Sequence, residues 1–143
     1  MSSTTNGPEP LSLTSAQLDR ILAHLREEAP LEGCGLLLGR EGRVTEVLPM
    51  RNAAASTVRY EIDPVEQLAV HKRLRAEGLS LLSIYHSHPV TEAYPSSTDV
   101  AHAEWWQEVW FLIASFRHPT PEVRCFRIID GEVVETGVAM EGE

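Results

Sequence analysis

SIYHSHPVTEAYPSSTDV, residues 83–100, begins as an apolar run and stops abruptly at a His-Ser-His-Pro sequence. The run LSLLSIYHSH before it reads as a long buried strand, and Pro89 cannot continue a central ladder, so His86 and His88 fall at the strand's end. Side chains at i and i+2 on a strand share a face, which sets the two imidazoles about 6–7 Å apart along the backbone at ~3.3 Å per residue. From there both rings can converge on one ion at ~2.0–2.1 Å, a normal zinc–nitrogen distance. After a short polar loop, Ser-Ser-Thr-Asp opens a helix, and Asp99 can close back over the strand end as an oxygen ligand. Two histidines, one carboxylate and a fourth position left to water are a catalytic rather than a structural zinc pattern. Ser96 and Asp99 also have capping-box spacing, so capping and chemistry both account for them.

Working outward, Thr14 and Gln17 form a capping box for a first helix, with Leu18, Ile21, Leu22 and Leu25 on one face and Pro30 at its end. GLLLGR and RVTEVLPM read as strands joined by a tight EG turn, and VRYEI as a third. Asp63-Pro64 caps a second helix that runs to Glu77 and stops at Gly78. A third helix starts in SSTDVAHAEWW. VWFLIASF, VRCFRII and EVVETGV then read as three strands, with a DG turn between the last two. This order predicts one α/β (α+β) domain, residues 11–143, around a mixed, mostly antiparallel sheet flanked by helices. Residues 1–10 read as a flexible tail.

Composition narrows the function. A net charge of −9 without a Lys/Arg cluster argues against nucleic acid or an anionic membrane as partner. The apolar runs are too short to cross a bilayer, and MSSTTNGPEP lacks the features of a signal peptide. Cys34 and Cys125, each inside an apolar run, read as buried reduced thiols in a cytoplasmic protein, with a disulfide between them left open. His24, His71, His102 and His118 are scattered and read as surface or helix-face residues, His102 lying one helical turn from Asp99. Trp105, Trp106 and Trp110 read as core and interface area.

The segment His86-x-His88-Pro89-x(6)-Ser96-x(2)-Asp99 resembles the signature of the JAMM (MPN+) zinc metalloproteases. EEAPLEGCGLLLGR is similar to that family's upstream segment, with Glu32 in the matching place, and the likeness runs from about residue 11 to 137. The resemblance implies an MPN domain with cytidine-deaminase-like layering. It implies one zinc held by His86, His88 and Asp99 with a water in the fourth position. Glu32 is implied as the base that takes that water's proton and returns it to the leaving amine, and Ser96 as donor to the oxyanion. Without the resemblance Glu32 reads as one acid among Glu27 and Glu28 in a solvated run. The implied reaction is hydrolysis of an amide bond after the Gly-Gly tail of a ubiquitin-like protein, in the compact bacterial form a sulfur carrier. An extended tail docking by strand addition is expected beside the loop residues Thr91, Glu92 and Tyr94. Competing readings are a non-catalytic MPN scaffold, the DNA-repair-associated branch of the superfamily, and a zinc deaminase, whose Pro-Cys-x-x-Cys element is absent.

Overall fold

The computed structural model describes residues 10–106 and 108–142. In chain order the elements are β1 (Leu11–Thr14), α1 (Ser15–Glu28), β2 (Cys34–Arg40), β3 (Arg43–Met50), α2 (Pro64–Glu77), β4 (Ser80–His88) and α3 (Ser97–His102). A 3₁₀ turn, Ala103–Trp105, follows α3; then come β5 (Trp110–Ser115), β6 (Glu122–Ile129), β7 (Glu132–Thr136) and β8 (Val138–Glu141). The strands make one sheet in the order β7-β6-β5-β4-β2-β3-β1-β8. Pairings β4–β5, β3–β1 and β1–β8 are parallel and the remaining four antiparallel, the mixed sheet that the sequence predicts.

Local chemistry explains most boundaries. Thr14 and Gln17 cap α1 reciprocally, each side chain accepting from the other's backbone N–H, and Gln17 Nε2 reaches on to the Val44 carbonyl at 2.9 Å. Asp63 accepts from the Val65 and Glu66 N–H groups, and Gly78 at φ 67° ends α2 in the left-handed conformation. The β2–β3 turn carries Glu41 and Gly42 at φ 54° and 78°, positive at both central positions as a type I′ hairpin requires. Asp130 and Gly131 repeat that geometry between β6 and β7.

Three expectations are corrected. Leu11–Thr14, placed between tail and helix in the sequence reading, is a strand: Leu11 and Leu13 are buried and pair in parallel with β8. VRYEI is not a strand. Its inward alternation is real, with Tyr60 and Ile62 buried, yet beyond the lone Asn52–Ile62 bridge its backbone bonds to the Asn52 side chain instead of a ladder. EVVETGV divides at Gly137 into β7 and β8, which lie at opposite edges of the sheet. Since one residue separates them in the chain, those edges meet there and the sheet is strongly curled. Of the expected tail, residues 1–9 lie outside the described residues.

The sheet has two packed faces. Leu37, Tyr85, Leu112 and Cys125 pack with Ile21 and Leu25 of α1. Cys34, Leu36, Ile84 and Phe111 face the opposite way and pack with Val70 of α2 and Ala103 beyond α3. The two free cysteines belong to different faces, which excludes a bond between them, and burial pushes their thiols up to about 12 and about 11. Trp110 is core as predicted, but Trp105 is 80% exposed.

Candidate active site

β4 lies between β2 and β5 in the middle of the sheet, and its last residues carry the site. His86 and His88 share Ile84's face, the one covered by α2 and α3. The α3 N-terminus brings Asp99 over them. His86 Nε2 lies 3.2 Å from His88 Nε2 and 3.2 Å from Asp99 Oδ2, and His88 Nε2 is 3.1 Å from the same oxygen. Four ligands at ~2.0–2.1 Å in a tetrahedron stand ~3.3–3.4 Å apart, close to these separations. All three side chains are buried, and they form the one cluster among the described residues able to hold a metal ion.

The surroundings orient each donor. His88 Nδ1 hydrogen-bonds the Glu92 carbonyl at 2.7 Å, so it carries the proton and Nε2 presents a lone pair. Ser96 and Asp99 form the capping box: the Asp99 N–H donates to Ser96 Oγ at 3.0 Å, and the Ser96 N–H to Asp99 Oδ2 at 2.9 Å. Capping and site geometry are one arrangement, because the cap fixes the carboxylate that faces the imidazoles. Burial alone raises Asp99, but His86, His88 and the Ser96 N–H override it and hold its carboxyl far below the usual range. Burial lowers His88, and Asp99, the Glu92 carbonyl and Glu32 more than reverse that, so it sits above its ordinary value. A buried carboxylate against two imidazole nitrogens suits zinc or a similar divalent ion.

Glu32 reaches the same place from the loop before β2. The register that sets Cys34 opposite His86 continues backward, with the Ser87 N–H on the Gly33 carbonyl and the Gly33 N–H on Ser87 Oγ. This puts Glu32 beside the end of β4. Its N–H donates to the Ser56 carbonyl, and its carbonyl accepts from Asn52 Nδ2. Glu32 is only 4% exposed and its Oε1 is buried without a hydrogen-bond partner. Burial raises its carboxyl to about 7, against the downward pull of His86 and His88. A carboxyl poised near neutrality suits proton transfer.

Of the five residues singled out in the sequence, His86, His88, Ser96 and Asp99 are joined by short contacts, and Glu32 is near enough to feel the charges of His86, His88 and Asp99. The proposed substrate loop is more structural than expected: the Thr91 carbonyl takes a hydrogen bond from Ser115, the Glu92 carbonyl orients His88, and Tyr94 packs edge-on against Phe126 beneath Arg124. Their side chains nonetheless face solvent. Sequence reading missed Asn52 and Tyr60. Tyr60 stacks on His86 with ring centres 4.5 Å apart and meets His102 edge-on at 5.1 Å. Alternation in VRYEI signals the burial of Tyr60; no local pattern announces Asn52.

A family profile described as prokaryotic homologs of the JAB domain matches residues 14–129. The chain belongs to the prokaryotic JAB family. It is 40% identical over 124 residues to a CysO-cysteine peptidase of Mycobacterium tuberculosis, spanning 85% of this chain and 84% of that one. It is 42% identical over 118 residues to a probable TtuB-protein conjugate cleaving protease of Thermus thermophilus, spanning 82% and 75% of the two chains. A solution structure of a Desulfitobacterium hafniense protein superposes with a TM-score of 0.83 at 36% identity, covering 92% of this chain and 93% of that one. The JAB fold and a JAMM-type hydrolase follow, in agreement with the sequence reading. Among the described residues no helix is long and apolar enough to cross a membrane.

Proposed function

We propose that this chain is a cytoplasmic zinc peptidase that hydrolyses the amide bond following the Gly-Gly tail of a ubiquitin-like sulfur-carrier protein. Residues 11–143 form its single catalytic domain. The observation that carries the reading is the buried, unpartnered Glu32 carboxyl, raised to about 7, beside the converging nitrogens and oxygen of His86, His88 and Asp99. A protein-binding scaffold has no use for such a group, whose burial disfavours folding.

His86, His88 and Asp99 would hold the zinc, which lowers the pKa of water and polarises a carbonyl oxygen. Glu32 takes a proton from the attacking water and gives it to the departing amine at the same carboxylate. Ser96 Oγ accepts from the Asp99 N–H, so its own O–H is available to donate to the scissile carbonyl oxygen as charge builds there. Thr91, Glu92 and Tyr94, exposed on the loop leading to Ser96, line the acyl side where the glycines lie. β4 is hydrogen-bonded on both sides, so the tail cannot pair with the strand that bears the histidines. The relatives act on a carrier–cysteine adduct and on carrier–protein conjugates by name, and this chain takes a substrate of that class.

The test is incubation of zinc-loaded protein with a sulfur carrier extended past Gly-Gly, followed by mass spectrometry. Cleavage after Gly-Gly that disappears with Glu32→Gln or a chelator supports the reading. Zinc bound at one per chain with no cleavage of any extended carrier overturns it.

A further inference from the structure

Beside the metal ligands, a groove of about 300 Å³ opens between the loop after β3 and the α3 segment. Asp99 lies at its head, the rings of Tyr60 and His102 line it, and the exposed Arg59, Glu61 and Trp105 form its rim. Its volume is at the small end of the ~300–1,000 Å³ typical of small-molecule sites, suited to a single residue and far too small for a folded domain.

Two features define what this groove accepts. Among the described residues the Arg59 guanidinium has neither an ion pair nor a hydrogen bond, whereas Arg51, Arg73 and Arg124 are all paired with carboxylates. Asn52 Nδ2 gives one hydrogen to the Glu32 carbonyl at 2.9 Å and the other to the Arg59 carbonyl at 3.0 Å. One amide thus clips Arg59 to the same side of the centre as Glu32, the group that protonates the leaving amine. In hydrolysis, the residue that owns that amine must lie on this side. Where a single amino acid follows the Gly-Gly tail, its free α-carboxylate is two bonds from the departing nitrogen. A guanidinium fork matches a carboxylate with two parallel hydrogen bonds.

We propose that the groove is a subsite for one leaving amino acid, in which Arg59 holds the free α-carboxylate and the rings of Tyr60, His102 and Trp105 surround the side chain. This rests on the hydrolase reading above and extends it: the site selects carboxy-terminal trimming over isopeptide cleavage, because a lysine within a target protein has no free carboxylate to offer. Glu61 on the same rim repels a second anion, so Asp and Glu are poor leaving residues.

The experiment compares zinc-loaded wild type, Arg59→Gln and Arg59→Lys on peptides ending Gly-Gly-Ala with either a free acid or an amide terminus. Wild type favours the acid by about 10–100-fold in kcat/KM, mostly through KM, as expected for a charged hydrogen-bonded pair. Arg59→Gln brings the acid-to-amide ratio close to one, and Arg59→Lys restores part of it. Arg75→Gln, on the far end of α2, leaves the ratio as in wild type. Equal cleavage of acid and amide by wild type overturns the subsite alone, as does an Arg59→Gln loss that is the same for both. Failure to cleave either peptide overturns the hydrolase reading and the subsite with it.

Discussion

Tyr85 and His86 are neighbours on β4 and point to opposite faces of the sheet, with contrasting surroundings. Tyr85 is fully buried, its hydroxyl shares a 2.8 Å hydrogen bond with His24 Nδ1, and its ring occupies the space that Gly35 leaves open. On the other face His86 Nδ1 and Glu32 Oε1 are buried with no partner, and three polar atoms crowd within hydrogen-bond distance of one another. One face of the strand satisfies its polar groups, and the other leaves buried polar atoms without partners beside a group able to hold a metal ion. A satisfied environment and an unsatisfied one are separated by one peptide bond.

The sharpest way to break this contrast is Asp99→Ala. It removes the oxygen ligand and the carboxylate that accepts from Ser96, so metal binding and peptidase activity both fall to background. Full zinc content by elemental analysis would contradict the assignment. Glu32→Gln should keep the zinc while lowering the rate by about 10²–10⁴, the usual contribution of a general acid–base group. For the wild type, the base form of Glu32 declines as pH drops through about 7, and the rate should decline with it. Stability carries the opposite sign. A carboxyl raised on folding binds its proton more tightly in the native state, so it favours folding less as pH rises from 4.5 towards about 7. Glu32→Gln should therefore melt a few degrees above wild type at pH 8, at about 2–8 °C per kcal/mol, with the gap closing near pH 4.5. A variant that melts below wild type at pH 8 would deny that Glu32 is a stability cost.

The closed face should answer in stability. A Cβ at Gly35 would lie 2.2 Å from Tyr85 Cζ. Gly35→Ala should lower stability by about 1–3 kcal/mol, as overpacked cores do, read as a lower denaturant midpoint with an unchanged slope. Tyr85→Phe should lose only the bond to His24, about 0.5–1.5 kcal/mol, with kcat unaltered. A large fall in kcat for Tyr85→Phe would show that the two faces are coupled after all.

What the sequence made legible follows from how local each signal is. Capping boxes, an N-cap aspartate before proline and positive-φ glycines act within four residues, so α1, α2, α3 and both hairpin turns were readable. His86 and His88 were readable because strand periodicity alone puts them on one face. Glu32 was not: it follows Glu27 and Glu28 at the end of α1 in one acidic run, and only the pairing of its neighbour Gly33 with β4 distinguishes it, so the resemblance had to supply it. The 58–62 segment misled because alternation reports burial and says nothing about what satisfies the backbone; there, an asparagine side chain takes the place of a strand. Leu11–Thr14 was missed because four residues give too short a pattern, and its partner lies at the other end of the sequence.

That partnership bears on how the protein is made. Ser12 and Glu141 are hydrogen-bonded although 129 positions apart, and β1 has parallel partners on both sides. Closing a loop of that length comes late and slowly, since chain entropy must be lost before the contact gives anything back. During translation Glu32, His86, His88 and Asp99 leave the ribosome before residues 138–141 do. On the zinc reading proposed above, a nascent chain thus presents its candidate metal-binding side chains before the strand that completes the sheet has emerged, and an ion captured early would template the centre around which the rest of the chain closes.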